Sequence, residues 1–308
     1  MDDFLQNIFG AELTGHSAAA IGAFDGLHLG HQHILKNTVR YARQNGLTPA
    51  AILFDPLPSQ FFGILGPNER LLLRPEQEAK LRELGFERVI FLPFSEKIAE
   101  LSADEFLSAM QSVLHAKRLF MGSDFSIGRN REGNPDVLAV LGKKHGYTVE
   151  IIEKDRLDGD VISSTRIRSL LHAGQLAQAN KLLGNSFTYS APIIHGEARG
   201  RKLGFPTLNV KIPEGKLILP NGVYAVYATL ENVRHASVTN IGVRPTFGLE
   251  DKGIVVESFM LHAEGSYYGE NASLEFVEKL RDEFRFESAD ALKAQIHRDI
   301  ERAKIILS

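Results

Sequence analysis

The feature that most constrains this chain is a regular alternation over residues 1–185, where short apolar runs take turns with amphipathic stretches. Ala18 to Gly22, Ala50 to Phe54, Val89 to Leu92, Arg118 to Gly122 and Val149 to Ile152 read as strands buried on both faces. Between them, His31 to Asn45, Pro75 to Leu84, Ala103 to His115 and Pro135 to His145 carry apolar residues at spacings of three and four, the helical period. Gly46, Gly85 and Gly146 stand where three of these helices need a left-handed residue to stop. Helices alternating with wholly apolar strands require parallel strands joined by right-handed crossovers, so an α/β doubly wound parallel-sheet domain is expected. Its ligand should lie beyond the carboxyl ends of the strands.

After Gly184 the pattern changes. Val223 to Leu230, Ala236 to Ile241, Ile254 to Leu261 and Ser273 to Val277 are strand-like and have no long helical pattern between them. Pro213 to Gly215, Pro220 to Gly222 and Gly242 to Gly248 supply turn and loop residues. A small antiparallel β-barrel is expected, closed by a helix from Ala289 to Leu307 whose Leu292, Ile296, Ile300, Ala303 and Leu307 form one apolar stripe. The expected domains are therefore 1–185 and 186–308, and 308 residues is ample for two.

Composition removes several functions. With 35 basic and 38 acidic side chains the formal net charge is -3, so no global positive field exists to hold nucleic acid. There are no cysteines, which excludes disulfides, thiolate metal sites and cysteine nucleophiles. Met1 to Gly10 does not read as a secretory signal, and no apolar run approaches the roughly 20 residues that span a bilayer. A soluble cytoplasmic protein is expected, with no membrane or nucleic-acid partner, and any homo-oligomer is expected to be weak.

Directly after the first strand comes Gly22-Ala23-Phe24-Asp25-Gly26-Leu27-His28-Leu29-Gly30-His31, running into a helix. A helix start has unpaired N–H groups and a partial positive charge, a natural seat for phosphate. Gly26 and Gly30 let backbone approach phosphates, and His28 and His31 supply donors at the same end. Two other readings compete, an ordinary turn and a metal site made of His28, His31 and His33. A second anion element is Ile162-Ser163-Ser164-Thr165-Arg166-Ile167-Arg168, where Ser163 or Ser164 caps a helix and Arg166 lies in its first turn. As a lone feature this is an ordinary helix start with a surface arginine; the helix dipole disfavours an arginine there, which tilts the reading toward a bound anion.

The C-terminal half carries His195 to Asn209, in which Gly196, Arg199, Gly200, Arg201 and Lys202 make a cationic, glycine-rich loop suited to covering phosphates. Thr207 and Asn209 offer neutral oxygens two residues apart, on one face if the segment is extended; such a pair can complete a magnesium shell, and the alternative for an isolated pair is a turn. Glu257 lies in the apolar run Ile254 to Leu261, where a carboxylate needs a reason to be present; the alternative is that it points outward from a half-exposed strand.

Gly22 to His31 resembles the His-x-Gly-His motif of the nucleotidyltransferase superfamily, and Ser163 to Arg168 its second phosphate motif. With Phe54-Asp55-Pro56-Leu57-Pro58 and Gly122-Ser123-Asp124-Phe125-Ser126-Ile127-Gly128, they resemble the adenylyltransferase half of the bacterial bifunctional riboflavin kinase/FAD synthetase family. Phe205-Pro206-Thr207-Leu208-Asn209, Pro220 to Ala225, Asn240 to Phe247, Val256-Glu257 and Leu280 to Phe286 are similar to riboflavin kinase motifs, in the family's order. The resemblance runs from about Ala20 to Leu307, with departures at Ala23, Ile127, Ala191 and Leu208.

That resemblance implies two reactions, riboflavin to FMN and FMN to FAD, each with ATP and the second releasing pyrophosphate. It implies that His28, His31 and Arg166 contact ATP phosphates, seated by Gly22, Phe24, Asp25, Gly26, Gly30, Ser163, Ser164 and Thr165. Asp124, Phe125, Gly128 and Arg281 would meet flavin, Thr207 and Asn209 would hold Mg2+, and Glu257 would be the base for riboflavin's 5′-hydroxyl. The rival expectations are a nucleotidyltransferase for another phosphorylated substrate and a non-catalytic flavin-binding regulator.

Overall fold

The computed structural model describes residues 15–195, 205–243, 254–261, 267 and 269–308. The chain divides into two compact units, the first ending at Ser164 and the second beginning at Thr165.

In the first unit, β1 (Ser17–Ile21), α1 (Leu29–Gln44), β2 (Thr48–Phe54), α2 (Pro58–Phe61), α3 (Arg74–Leu84) and β3 (Arg88–Leu92) come first. They are followed by α4 (Glu96–Glu100), α5 (Ala103–Leu114), β4 (Ala116–Gly122), α6 (Pro135–Lys144) and β5 (Thr148–Ile152). The five strands are parallel, in the order β3-β2-β1-β4-β5. Each expected apolar run is one of them. Side chains alternate across a strand, so β1 packs Ala18 and Ala20 with Leu35 and Val39 of α1 on one face. Ala19 and Ile21 pack with Phe106, Met110 and Val113 of α5 on the other. The helices begin and end as their sequences dictate. Ser102 and Glu105 form a reciprocal capping box at the start of α5, Asn134 caps α6, and Gly46, Gly85 and Gly146 have φ of +63°, +100° and +82°. The strand order reverses between β1 and β4, which makes their carboxyl ends the switch point where a crevice opens. A short hairpin, β6 (Arg156–Leu157) and β7 (Asp160–Val161), follows β5 and was not expected from the alternation.

Two helices follow, α7 (Ser164–His172) and α8 (Leu176–Leu183), and then β8 (Phe187–Ile194), β9 (Leu208–Val210), β10 (Gly222–Leu230), β11 (Val233–Val243), β12 (Ile254–Met260), β13 (Asn271–Arg281) and α9 (Ala289–Ile306). The six strands close an antiparallel barrel in the order β10-β11-β12-β9-β8-β13. Strands β8 and β9 are additions to the four expected runs, and Ala191, one of the departures from the family pattern, lies within β8. Tyr189, Tyr224 and Phe276 meet edge-on inside, with Tyr189 accepting the Leu219 N–H and donating to the Leu217 carbonyl. Ile300, Ala303 and Leu307 of the C-terminal segment pack on Val223, Ala225 and Leu280 outside the barrel, while Leu292 at the stripe's start stays half-exposed.

The change of unit falls earlier than the change of pattern at residue 185. Helix α8 goes with the barrel because Asn180 ties it there: its amide donates to the Phe276 carbonyl at 2.8 Å and accepts the Phe187 N–H at 2.8 Å.

Candidate active sites

At the switch point β1 ends and Gly22 extends its pairing, donating to the Ile52 carbonyl at 3.1 Å. The chain then turns through left-handed backbone at Phe24, Gly26 and Leu27, with φ of +46°, +87° and +45°. Gly26 takes this conformation without a steric cost, whereas Phe24 and Leu27 must be held in it. Asp25 and Gln77 do the holding. The buried Asp25 carboxylate accepts the N–H groups of Leu71 and Leu72 at 3.0 and 3.2 Å, and the buried Gln77 amide donates to the Phe24 carbonyl at 3.1 Å. Asp25, expected at the phosphate site, braces the turn with its carboxylate.

His28 is the N-cap of α1, its Nδ1 accepting the His31 N–H at 3.2 Å. Accepting at Nδ1 leaves the hydrogen of the neutral ring on Nε2. The two imidazoles stack with centroids 3.6 Å apart, and His31 meets the Phe24 ring edge-on. Burial, reinforced by the His28 ring, holds His31 well below the usual histidine pKa, and its buried Nδ1 has no hydrogen-bond partner among the described residues. Gly30 is helical, and a Cβ on it would meet the His28 ring only at an ordinary 3.4 Å, so the protein's own packing does not require glycine there. His33 is not part of the cluster: its Nδ1 lies 3.0 Å from Asp155.

A cavity of about 980 Å³ opens from this point. Gly22, Phe24, His31, Gly122 and Asp124 line it where the strands end, and Phe125, Gly128, Arg129 and Arg131 line it farther along the loop after β4. Asp124 pairs with Lys154 at 2.9 Å. Gly128 has φ +83°, and a Cβ there would lie 2.5 Å from the Ala103 nitrogen, so only glycine lets this loop seat on the start of α5. Sequence reasoning missed the aromatic wall. Phe61 and Phe62 are exposed by 41% and 59%, and together with Phe94 they form an edge-on trio with centroids 5.2 to 5.8 Å apart. Such a wall suits a flat, apolar ring system. Its signal was a cluster of four large apolar residues, Phe61, Phe62, Ile64 and Leu65, between the polar pairs Ser59-Gln60 and Asn68-Glu69.

The second phosphate element begins α7. Ser163 precedes the first helical residue, Ser164 donates to the Asp25 carbonyl at 2.8 Å, and Thr165 and Arg166 lie in the helix's first turn.

In the barrel, Thr207 leads into β9 and Asn209 is buried within it. Asn209 stands opposite Glu257 on β12, which stands opposite Asn240 on β11. Directly opposed residues of antiparallel strands share a face, so the three form a row across three strands. Ser258 points inward, bonded to Thr239 and Ser237 at 2.9 and 3.1 Å. Glu257 therefore points outward, half-buried, on the face where Phe259 meets Phe205. Arg281, expected at flavin, grips the buried Asp299 with Nε and Nη2 at 2.8 to 3.1 Å, while Phe284 and Phe286 lie against its guanidinium. Its donor fork is thus occupied within the protein. Gly196, Arg199, Gly200, Arg201 and Lys202 lie outside the described residues.

A parallel sheet with a histidine-bearing helix start at its switch point, in one chain with a barrel carrying a glutamate between two asparagines, suits a transferase of phosphoryl and nucleotidyl groups. Residues 11–166 match the FAD synthetase family and residues 183–307 the riboflavin kinase family. The chain is 36% identical to the bifunctional riboflavin kinase/FMN adenylyltransferase of Pseudomonas fluorescens, covering 94% of this chain and 92% of that one. It is 35% identical to the Listeria monocytogenes protein of the same name, over 91% and 89%. A solved structure described as a macrolide-efflux protein from Streptococcus pneumoniae superposes with a TM-score of 0.86 at 27% identity, covering 97% of this chain and 96% of that one. No described helix here is long and apolar enough to cross a membrane. The chain belongs to the family of bifunctional riboflavin kinase/FMN adenylyltransferases. It phosphorylates riboflavin to FMN and adenylylates FMN to FAD.

Proposed function

We propose that adenylylation takes place where the cavity of the first unit meets the start of α1, and phosphorylation at the Asn209–Glu257 row of the barrel. The observation that carries the first assignment is that His31 belongs to both features, lining the cavity and lying in the first turn of α1. A flavin ring held by Phe61, Phe62 and Phe94 would extend its phosphate toward that end. There an FMN oxygen attacks the α-phosphorus of ATP and pyrophosphate leaves. His28 and His31, with the N–H groups of α1, position and stabilise charge on the phosphates. The part given to Arg166 rests on its motif.

At the barrel the oxygens available to a cation are a hydroxyl, an amide carbonyl and a nearby carboxylate, the hard donors that suit Mg2+. Thr207 and Asn209 would hold the ion, with ATP phosphates and water completing its shell, and the ion would offset charge on the transferring phosphoryl group. Glu257 takes the proton of riboflavin's 5′-hydroxyl as that oxygen attacks the γ-phosphorus, whose bond to the β,γ-bridging oxygen breaks to release ADP. Riboflavin, FMN, FAD and ATP are thus the ligands, and ATP dependence fits a cytoplasmic enzyme.

A time course with riboflavin, ATP and magnesium, resolved by chromatography, tests the scheme. FMN should appear first and FAD after it, and FMN supplied directly should yield FAD. FAD formation that ignores supplied FMN would overturn it.

A further inference from the structure

A carboxylate sits where this enzyme's most highly charged ligands must meet. Asp124 lines the cavity beside Gly22, Gly122 and His31, at the end we assign to the reacting phosphates. A hypothetical Cβ on Gly122 would lie 3.1 Å from Asp124 Oδ1, so the carboxylate folds back over the end of β4. An uncompensated negative charge there would repel both FMN and ATP.

The compensating cation is Lys154, whose Nζ lies 2.9 Å from Asp124 Oδ2. Strand register brings it there. Gly122 pairs with Ile152 across β4 and β5, the Ser123 N–H bonds the Ile152 carbonyl, and Asp124 and Lys154 each lie two residues past that pair. Lys154 is thus at the ligand-bearing edge of the sheet, and Asp124 is its one partner among the described residues. Lys154 itself stands behind the cavity wall and reaches it through Asp124, while the two cations among the described residues that do line the cavity, Arg129 and Arg131, are engaged elsewhere. Arg131 donates to Ser126 Oγ at 2.7 Å, and the Glu105 carboxyl, held below its ordinary pKa first by the Ser102 backbone and hydroxyl hydrogen bonds, feels the Arg129 charge as well.

We propose that Lys154 is the residue by which the adenylyltransferase site selects phosphorylated flavin: its ammonium turns from Asp124 toward the phosphate of FMN while staying beside the carboxylate. The turn is cheap because the pair is exposed by 41% and 64%, and exposed ion pairs contribute little. It is favourable because a phosphate dianion carries about twice the charge of a carboxylate and has three acceptor oxygens. Riboflavin has no phosphate toward which the lysine could turn. The inference rests on FMN adenylylation occurring in the first unit.

Lys154→Met and Lys154→Arg in the full-length enzyme test it, with FAD formation followed at varied FMN and varied ATP. 5′-Deoxyriboflavin, which lacks the hydroxyl that is phosphorylated, serves as an inhibitor competing with FMN. Lys154→Met should raise KM for FMN about tenfold or more, the worth of a charge-assisted hydrogen bond. It should leave KM for ATP and the inhibition constant of 5′-deoxyriboflavin within about twofold, and Lys154→Arg should restore most of the loss. An unchanged KM for FMN would overturn the proposal. So would an equal weakening of FMN and 5′-deoxyriboflavin, which marks a distorted cavity, or a loss confined to ATP. Failure of the wild-type enzyme to turn FMN into FAD would instead defeat the underlying reading.

Discussion

At the scale of single residues, His31 combines two properties that give separate predictions. As a donor preorganised for phosphate, its replacement by alanine should lower FAD formation by about 10²-fold to 10³-fold while FMN formation persists, measured side by side on the same preparation. As a half-buried imidazole with an enclosed Nδ1 and a depressed pKa, it also affects stability. Below about pH 6.5 the unfolded chain takes up a proton on His31 that the folded chain refuses, so His31 costs stability as pH falls, by up to about 1.4 kcal/mol per pH unit. Thermal unfolding of His31→Gln should accordingly be less acid-sensitive than wild type below that pH. Glu257→Gln keeps the side chain's shape but cannot accept a proton, so kinase turnover should fall by about 10²-fold to 10⁴-fold with riboflavin binding little changed. A near-normal rate would remove Glu257 as the base. The spacing of His28 and His31 ahead of a helical pattern was legible in the sequence. The task of Asp25 was not, because the N–H groups it accepts come from Leu71 and Leu72, 46 and 47 residues away, and no local pattern marks that contact.

At the scale of elements, the loop after β4 depends on Gly128, where left-handed backbone and contact with the start of α5 coincide. Gly128→Ala adds both backbone strain and overpacking, about 2 kcal/mol together, and lifts the loop from its seat. KM for FMN in adenylylation should rise and the unfolding midpoint of the first unit fall, with kinase activity unaffected; an unchanged midpoint would show that the loop yields easily. The five parallel strands were readable because burial on both faces leaves continuous apolar runs. Strand β8 was not readable. Its buried residues alternate through Phe187, Tyr189, Ala191 and Ile193, but Pro192 interrupts the run and proline argues against a paired strand. Within the barrel Pro192 stands opposite Asn271 on β13 all the same. Strand β9, three residues long, is too short for any period to register.

For the whole molecule, the two reactions should separate with the units, provided the cut respects α8. A fragment beginning near Ser163 should fold and make FMN. One beginning at Phe187 loses both hydrogen bonds of Asn180 and the buried Leu176, Ala179, Leu182 and Leu183, and should melt at a clearly lower temperature by circular dichroism. Equal melting points would return the working boundary to residue 185. The existence of two domains was legible in the change of pattern near Gly184, but the affiliation of α8 was not, since it depends on which strands Asn180 reaches. The row of Asn209, Glu257 and Asn240 places a condition of parity on this enzyme's descent. Inserting one residue into β12 ahead of Glu257 would turn that carboxylate into the barrel and present a neighbour to the substrate, whereas inserting two would restore the outward phase. Loops between the strands can lengthen by any number, but inside β12 only even changes keep the carboxylate outward.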